Sequence, residues 1–244
     1  MPASNQPLPQ ETAPDPRKIA RPRRARGSGY PGVDRRQQIL EAARRRFAEF
    51  GFEATTVRQI ADDVKILSGS LYHHFDTKEA MLDEIVRDPV LAVHGQTLRI
   101  AALECDAEER LVTLIAAELG ALTRHQEQLA IVYSERKFFR RSPYFAYLMK
   151  ARKEAYDAWQ GILEDGVRDG LFDPATDAYL TISTIMRMLN TGADWYRNED
   201  GSPQDVVRFY PLEQLLDFYL GFVLRAIRLP ERAGAPIPRP LAAA

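Results

Sequence analysis

Apolar residues between positions 34 and 88 recur at helical spacing. Ile39, Ala42, Ala43, Phe47 and Phe50 fall three and four apart and predict one buried helical face, which Gly51 stops. Thr55 and Thr56 then offer N-caps, and Thr56 with Gln59 has capping-box spacing. Val57, Ile60, Ala61 and Val64 supply the inner face of a second helix. A third and very short helix is predicted at 68–75, with Leu71 and Phe75 pointing inward together. Asp76 with Glu79 predicts the cap of a fourth helix, whose inner face is Ala80, Met81, Leu82 and Ile85. Pro89 is expected to kink or end it, because proline removes a backbone hydrogen bond.

Helical periodicity continues from Leu111 to Leu122. A loop is expected at 136–141, then Ser142-Pro143 as an N-cap with proline at the first helical position. The next helix carries Phe145, Leu148, Met149, Tyr156, Trp159, Ile162, Leu163 and Val167 and closes at Gly170. Another spans about 176–196, and a polar loop follows at 197–203. The last helix starts near Pro211. Its stripe of Leu212, Leu215, Leu216, Tyr219, Leu220, Val223, Leu224 and Ile227 is widened by Phe218 and Phe222. A helix apolar nearly all round is buried on more than one side, so one side should face the core and the other a second subunit. No strand and no repeat is predicted.

The fold class is therefore all-α, an N-terminal three-helix helix-turn-helix domain plus a larger C-terminal helical domain whose last helix carries the expected dimerisation face. Residues 1–33 read as a disordered basic arm, 34–88 as the helix-turn-helix unit, 89–229 as the helical body and 230–244 as a flexible Pro/Ala tail.

The segment "ATTVRQIADDVKILSGSLYHHFDTKEAMLDEI" (residues 54–85) thus holds a helix, a tight turn, a short reading helix and a capped fourth helix. Small residues at the start of the reading helix (Ser68, Gly69, Ser70) let a backbone approach a DNA groove. For Ser68, plain N-capping is an equal alternative. Leu71-Tyr72-His73-His74-Phe75 matches the L-Y-x-H-F pattern, and over about 50 residues the chain resembles the TetR family of ligand-responsive repressors.

That resemblance implies that Tyr72 meets a phosphate or a thymine methyl. It implies phosphate contacts for His74, Lys78, Thr56 and Arg58. Lys78 sits at a helix start, where backbone N–H groups also attract phosphate. Ser68, Ser70 and His73 are expected to read base edges. Adjacent histidines on a helix diverge by about 100°, so His73-His74 is not expected to be a metal pair.

The body carries no phosphate-cradling glycine loop, no G-x-S-x-G and no H-E-x-x-H, so neither catalysis nor a cofactor is expected. It is rich in aromatics and sulfur, some expected to line an apolar cavity rather than the core. The candidates are Tyr133, Phe138, Trp159, Met186 and Trp195, with His125, Arg187, Asn190 and Arg197 as polar groups. The helix-turn-helix and the "DWYR" stretch (194–197) are similar to the actinobacterial branch that controls steroid and fatty-acid breakdown and responds to acyl-CoA thioesters. Arg136, Lys137, Arg140 and Arg141 are candidates to meet coenzyme A phosphates. Met186 and Asn190 stand where a steroid-side repressor is expected to carry an arginine and a tryptophan.

The expected partners are operator DNA, a small-molecule effector and a second copy docked through the last two helices. An activator or a ligandless regulator of the same fold remains an alternative, as does a helical binding protein with no DNA role. Charge changes this picture in one place. The net charge is −1, and residues 34–88 hold nine Lys/Arg against eleven Asp/Glu, but six cations and no acid lie between Arg17 and Arg26. That arm either has no role or follows the DNA backbone or minor groove. The lone Cys105 permits no intramolecular disulfide and suits a reducing cytoplasm. Apolar runs stay well short of about 18 residues, and a secretory leader is not apparent.

Overall fold

The computed structural model describes residues 35–191 and 210–241. The arm at 1–33, the "DWYR" stretch with Trp195 and Arg197, and the polar loop lie outside them. Helix α1 (Arg35–Phe50) buries Ile39, Ala42, Ala43 and Phe47. Phe50, expected on that face, is 55% exposed, and Phe52 takes its place at 2%. The reason is Gly51: its φ of +84° ends the helix and swings the chain back, so the next aromatic packs on Phe47 at 5.1 Å. Helix α2 (Val57–Asp63) starts from Thr56 with the complete capping box. Helix α3 (Ser68–Leu71) is one turn long. Helix α4 (Lys78–Ala101) is capped by Thr77, not Asp76, through the Ala80 N–H.

Pro89 does not end α4, which runs on for another twelve residues. The division expected at 88/89 therefore falls inside one helix. Helix α5 (Ala107–Arg124) leads into α6 (Gln126–Ser134). Residues Arg136–Arg141, expected as a loop, form helix α7, followed by a 3-10 turn at Pro143–Phe145 in which the Ser142 side chain caps nothing. Helices α8 (Ala146–Arg168), α9 (Ala178–Asn190) and α10 (Leu212–Ile227) complete the described body. Among the described residues there is no strand, only an isolated bridge between Phe172 and Arg228.

Two apolar cores result. The first joins Ile39, Phe47, Phe52, Ile60, Leu71, Phe75, Met81 and Leu82 to Ile131, Phe139, Phe145 and Leu148 from the body. The second gathers Leu111, Ile115, Trp159, Ile162, Phe172, Ile185, Leu220 and Val223. Polar ties reinforce the junction between head and body. Glu135 accepts the Phe52 N–H at 2.8 Å, and the buried Asp83 of α4 meets both Arg87 and Tyr147 of α8.

The described part of the tail, residues 230–241, is held in place. Arg228, 6% exposed, pairs with buried Glu108 at 2.6 Å and 2.9 Å, and donates to Ala235 O and Pro236 O. The Leu241 N–H then reaches Thr113 Oγ1 at 3.0 Å. Residues 230–241 are thereby laid along α5.

Gly166 of α8 has no room for a methyl: an added Cβ would stand 2.1 Å from the fully buried Phe172 ring. Gly166→Ala is expected to cost about 1–3 kcal/mol through forced repacking. Gly161→Ala, on the same helix and in open space, is expected to stabilise by up to about 1 kcal/mol. Urea unfolding of the pair measures both.

Candidate DNA face and ligand chamber

The turn between α2 and α3 sets the reading helix. Lys65 holds a φ of 55°, a region that non-glycine residues seldom enter, and the Ile66 N–H closes back on Ala61 O at 3.0 Å. Leu71 and Phe75 are buried beneath it, so the opposite side faces outward. There Tyr72 is 52% exposed, His73 is exposed, and His74, Ser68 and Ser70 are half-buried. Ser68 is the first helical residue, not the cap. The cap position belongs to Leu67, which makes no capping bond and is 80% exposed. No local rule flagged Leu67, because an apolar residue between two elements is usually core. Arg58 projects from α2 with only a 3.9 Å approach to Asp62. The Thr56 hydroxyl is shared with its own helix through Gln59.

Lys78 does not project with this set. Its Nζ donates to Phe52 O and Thr55 O, each at 2.7 Å, and lies 4.2 Å from the Phe52 ring centroid. Partial burial pushes its pKa down, opposed by the charges of Glu79, Glu53 and Glu135. The ammonium satisfies the carbonyls of the α1–α2 loop, a pairing across more than twenty residues that sequence spacing does not reveal.

A cavity of about 100 Å³ opens between α4, α5, α6 and α8. Val90, Val93, Leu129, Val132, Phe139 and Leu148 make most of its wall. Arg136, Arg152, Ala155, Met186 and Asn190 line both it and an adjoining outer recess of about 370 Å³, which adds Tyr156, Tyr179, Ser183 and Arg187. Those shared residues, with Arg187 of the recess, form the mouth. Arg136, Arg152 and Arg187 have no carboxylate partner among the described residues. Loss of surrounding water and then the like charges of Arg136, Arg140 and Arg187 push the pKa of Arg152 down, against an opposing pull from Tyr133. Thr97, His94 and Glu118 line the chamber but not the outer recess. Glu118 is 9% exposed, and burial pushes it up to about 7.

Of the sequence candidates, Tyr133, Met186 and Asn190 line the chamber and Arg187 its mouth. Trp159 does not: it is fully buried in the second core. Phe138 packs on Phe52 at 4.6 Å and on Phe145, and so serves the first core. His125 faces a separate outer groove with Leu40, Arg44, Pro89 and Gln128. Arg136, a candidate for the coenzyme A phosphates, lines the chamber and its outer recess from a helix and not from the expected loop. Glu118, Thr97, His94 and Arg152 were missed. A signal for Glu118 did exist, since it falls in register with Leu111, Leu114, Ile115 and Leu122 on the buried face of α5. Lys78→Ala is expected to lower the stability of the DNA-free protein by about 1–3 kcal/mol, because two carbonyls lose their donor. Unchanged urea unfolding with weakened DNA binding would instead restore the phosphate role.

Residues 39–85 match the family of bacterial regulatory proteins called tetR, and residues 104–211 match the tetracyclin repressor-like C-terminal domain. The chain is 37% identical over 190 residues to the HTH-type transcriptional repressor KstR2 of Rhodococcus jostii, covering 78% of this chain and 92% of that protein. It is 36% identical over 195 residues to KstR2 of Mycolicibacterium smegmatis, covering 80% and 91%. Among solved structures, the ketosteroid transcriptional regulator KstR2 of Mycobacterium tuberculosis is similar with a TM-score of 0.71 and 35% identity, over 80% of this chain and 96% of that one. The fold also matches AibR, solved with isovaleryl coenzyme A and operator DNA, with a TM-score of 0.62 and 22% identity over 78% and 97%. The chain belongs to the TetR family of bacterial transcriptional regulators, which act by binding DNA and are not enzymes.

Proposed function

We propose that this protein is a homodimeric repressor that leaves a palindromic operator when a coenzyme A thioester fills the chamber. One observation carries the effector class: an apolar chamber opens onto Arg136, Arg152 and Arg187, which lack carboxylate partners among the described residues. An apolar acyl group suits the wall, and the coenzyme A phosphates suit the mouth. The similarity to a solved structure named as a ketosteroid transcriptional regulator favours a steroid-derived acyl group.

On the DNA side, Tyr72, His74, Thr56 and Arg58 contact phosphates, and Ser68, Ser70 and His73 face base edges. Leu67 adds an apolar contact of the kind a thymine methyl accepts. Lys78 supports the loop behind them. Dimerisation through α9 and α10 is supported by Phe218 and Phe222, 60% and 51% exposed and stacked at 6.4 Å, and by exposed Leu180. Two-fold symmetry then sets the reading helices about 34–36 Å apart or somewhat more. The effector acts through α4, which lines the chamber with Val90, Val93 and Thr97 and enters the head core with Met81 and Leu82. It shifts the equilibrium only as far as it prefers the DNA-incompetent state.

Two measurements test this. Fluorescence anisotropy against DNA flanking the gene, at two salt concentrations, should give tight, steeply salt-dependent binding. Tyr72→Ala should weaken it tenfold or more, on the order of 1.4 kcal/mol, with no change in melting temperature. Arg152→Met should weaken binding of cyclohexanecarboxyl coenzyme A about tenfold by calorimetry and leave operator affinity unchanged. Equal thioester binding by parent and variant would remove the mouth from the mechanism.

A further inference from the structure

The inner end of the chamber is not apolar. Glu118 rises from α5 on the face otherwise occupied by Leu111, Leu114, Ile115 and Leu122. Among the described residues its hydrogen bond is a long one, from Thr97 Oγ1 at 3.5 Å, and it has no ion-pair partner. His94, which also lines the chamber, is drawn elsewhere: its Nε2 stands 3.1 Å from Glu154 Oε2, in a direction that makes no hydrogen bond. Tyr133 lies on the same chamber wall, its phenol held protonated chiefly by burial.

A buried carboxyl left short of partners costs free energy that a leucine at this position would not. Such a group is retained where a ligand completes it, and a site built to hydrogen-bond a polar atom rejects the analogue that lacks it. We propose that Glu118, with Thr97 and Tyr133, meets a ketone or hydroxyl oxygen on the buried end of the effector, so that the chamber selects an oxygenated acyl group over a plain hydrocarbon one. Glu118 is the specificity-determining residue in this arrangement, and Arg136, Arg152 and Arg187 hold the other end of the ligand. The high pKa that burial gives Glu118 fits this role, because the neutral acid can donate where a carboxylate cannot. The assignment deepens the thioester reading and rests on it only for the outer half of the ligand.

The test uses the full chain and two thioesters identical but for one oxygen, 4-oxocyclohexanecarboxyl and cyclohexanecarboxyl coenzyme A. Calorimetry should show the parent preferring the ketone by roughly fivefold to tenfold. Glu118→Leu should lose that preference, and Glu118→Gln, whose amide still donates, should keep it. The infrared C=O stretch of the bound ring ketone should lie below its position in hydrocarbon solvent for the parent and Glu118→Gln. It should return toward that position in Glu118→Leu. The stretch in the parent decides the matter even if Glu118→Leu fails to fold. An unshifted stretch with equal binding of the two thioesters overturns the role of Glu118 and leaves the thioester reading standing. If neither thioester binds, the thioester reading falls, and the comparison is made between cyclohexanone and methylcyclohexane. A cyclohexanone preference abolished by Glu118→Leu then supports the Glu118 assignment, and no preference overturns it.

Discussion

Helix α4 belongs to both cores, and this constrains the whole molecule. At 24 residues it spans about 36 Å. Its first turns give Met81, Leu82 and Val86 to the head, its middle lines the chamber, and Ile100 near its end enters the second core. A close-packed interior does not compress by fractions of an ångström at no cost. In the proposed mechanism, a ligand that pushes on Val90 or Val93 moves a rod whose far end is embedded in the head. The head is not free to ignore that motion, because Phe139, Phe145 and Leu148 of the body complete its core and Glu135 holds the Phe52 N–H. Head and body behave as one packed object with a chamber in its middle.

The chamber separates two kinds of charge. Arginines stand at the mouth, an acid sits within, and no pair forms between them among the described residues. A buried Glu118–Arg152 bridge would have filled the cavity with its own side chains. Keeping the groups apart leaves each end with unspent bonding capacity, and under the proposed thioester reading this would orient the ligand with its anionic end outward.

Much of the head was legible in the sequence because its rules are local. The capping box at Thr56 and Gln59, the glycine stop at 51 and the inward pair Leu71 and Phe75 each depend on neighbours within four residues. What escaped was settled across longer separations. Phe50 loses its core place to Phe52 only because the chain reverses at Gly51, and Lys78 turns inward to carbonyls 23 and 26 residues away. Pro89 was read by its strongest local effect, yet α4 continues through it, anchored by buried Leu82 and Val86 before it and Thr97 and Ile100 after it. In the body, aromatics alone could not distinguish wall from core, so Trp159 and Phe138 were misplaced. The polar residues that do line the cavity sit on helix faces that periodicity marks simply as buried.

The pairing of Arg228 with Glu108 gives the C-terminal segment an unexpected status. The guanidinium is held by one carboxylate and two carbonyls, and the carbonyls arrive from Ala235 and Pro236. Those last residues are in effect a tethered peptide ligand, supplied at high effective concentration by the seven-residue reach from Arg228. A stop codon before Ala235 would leave a charged group inside the body with half its acceptors gone. Any fusion partner is best attached beyond Leu241, where the chain has already completed its contact with Thr113.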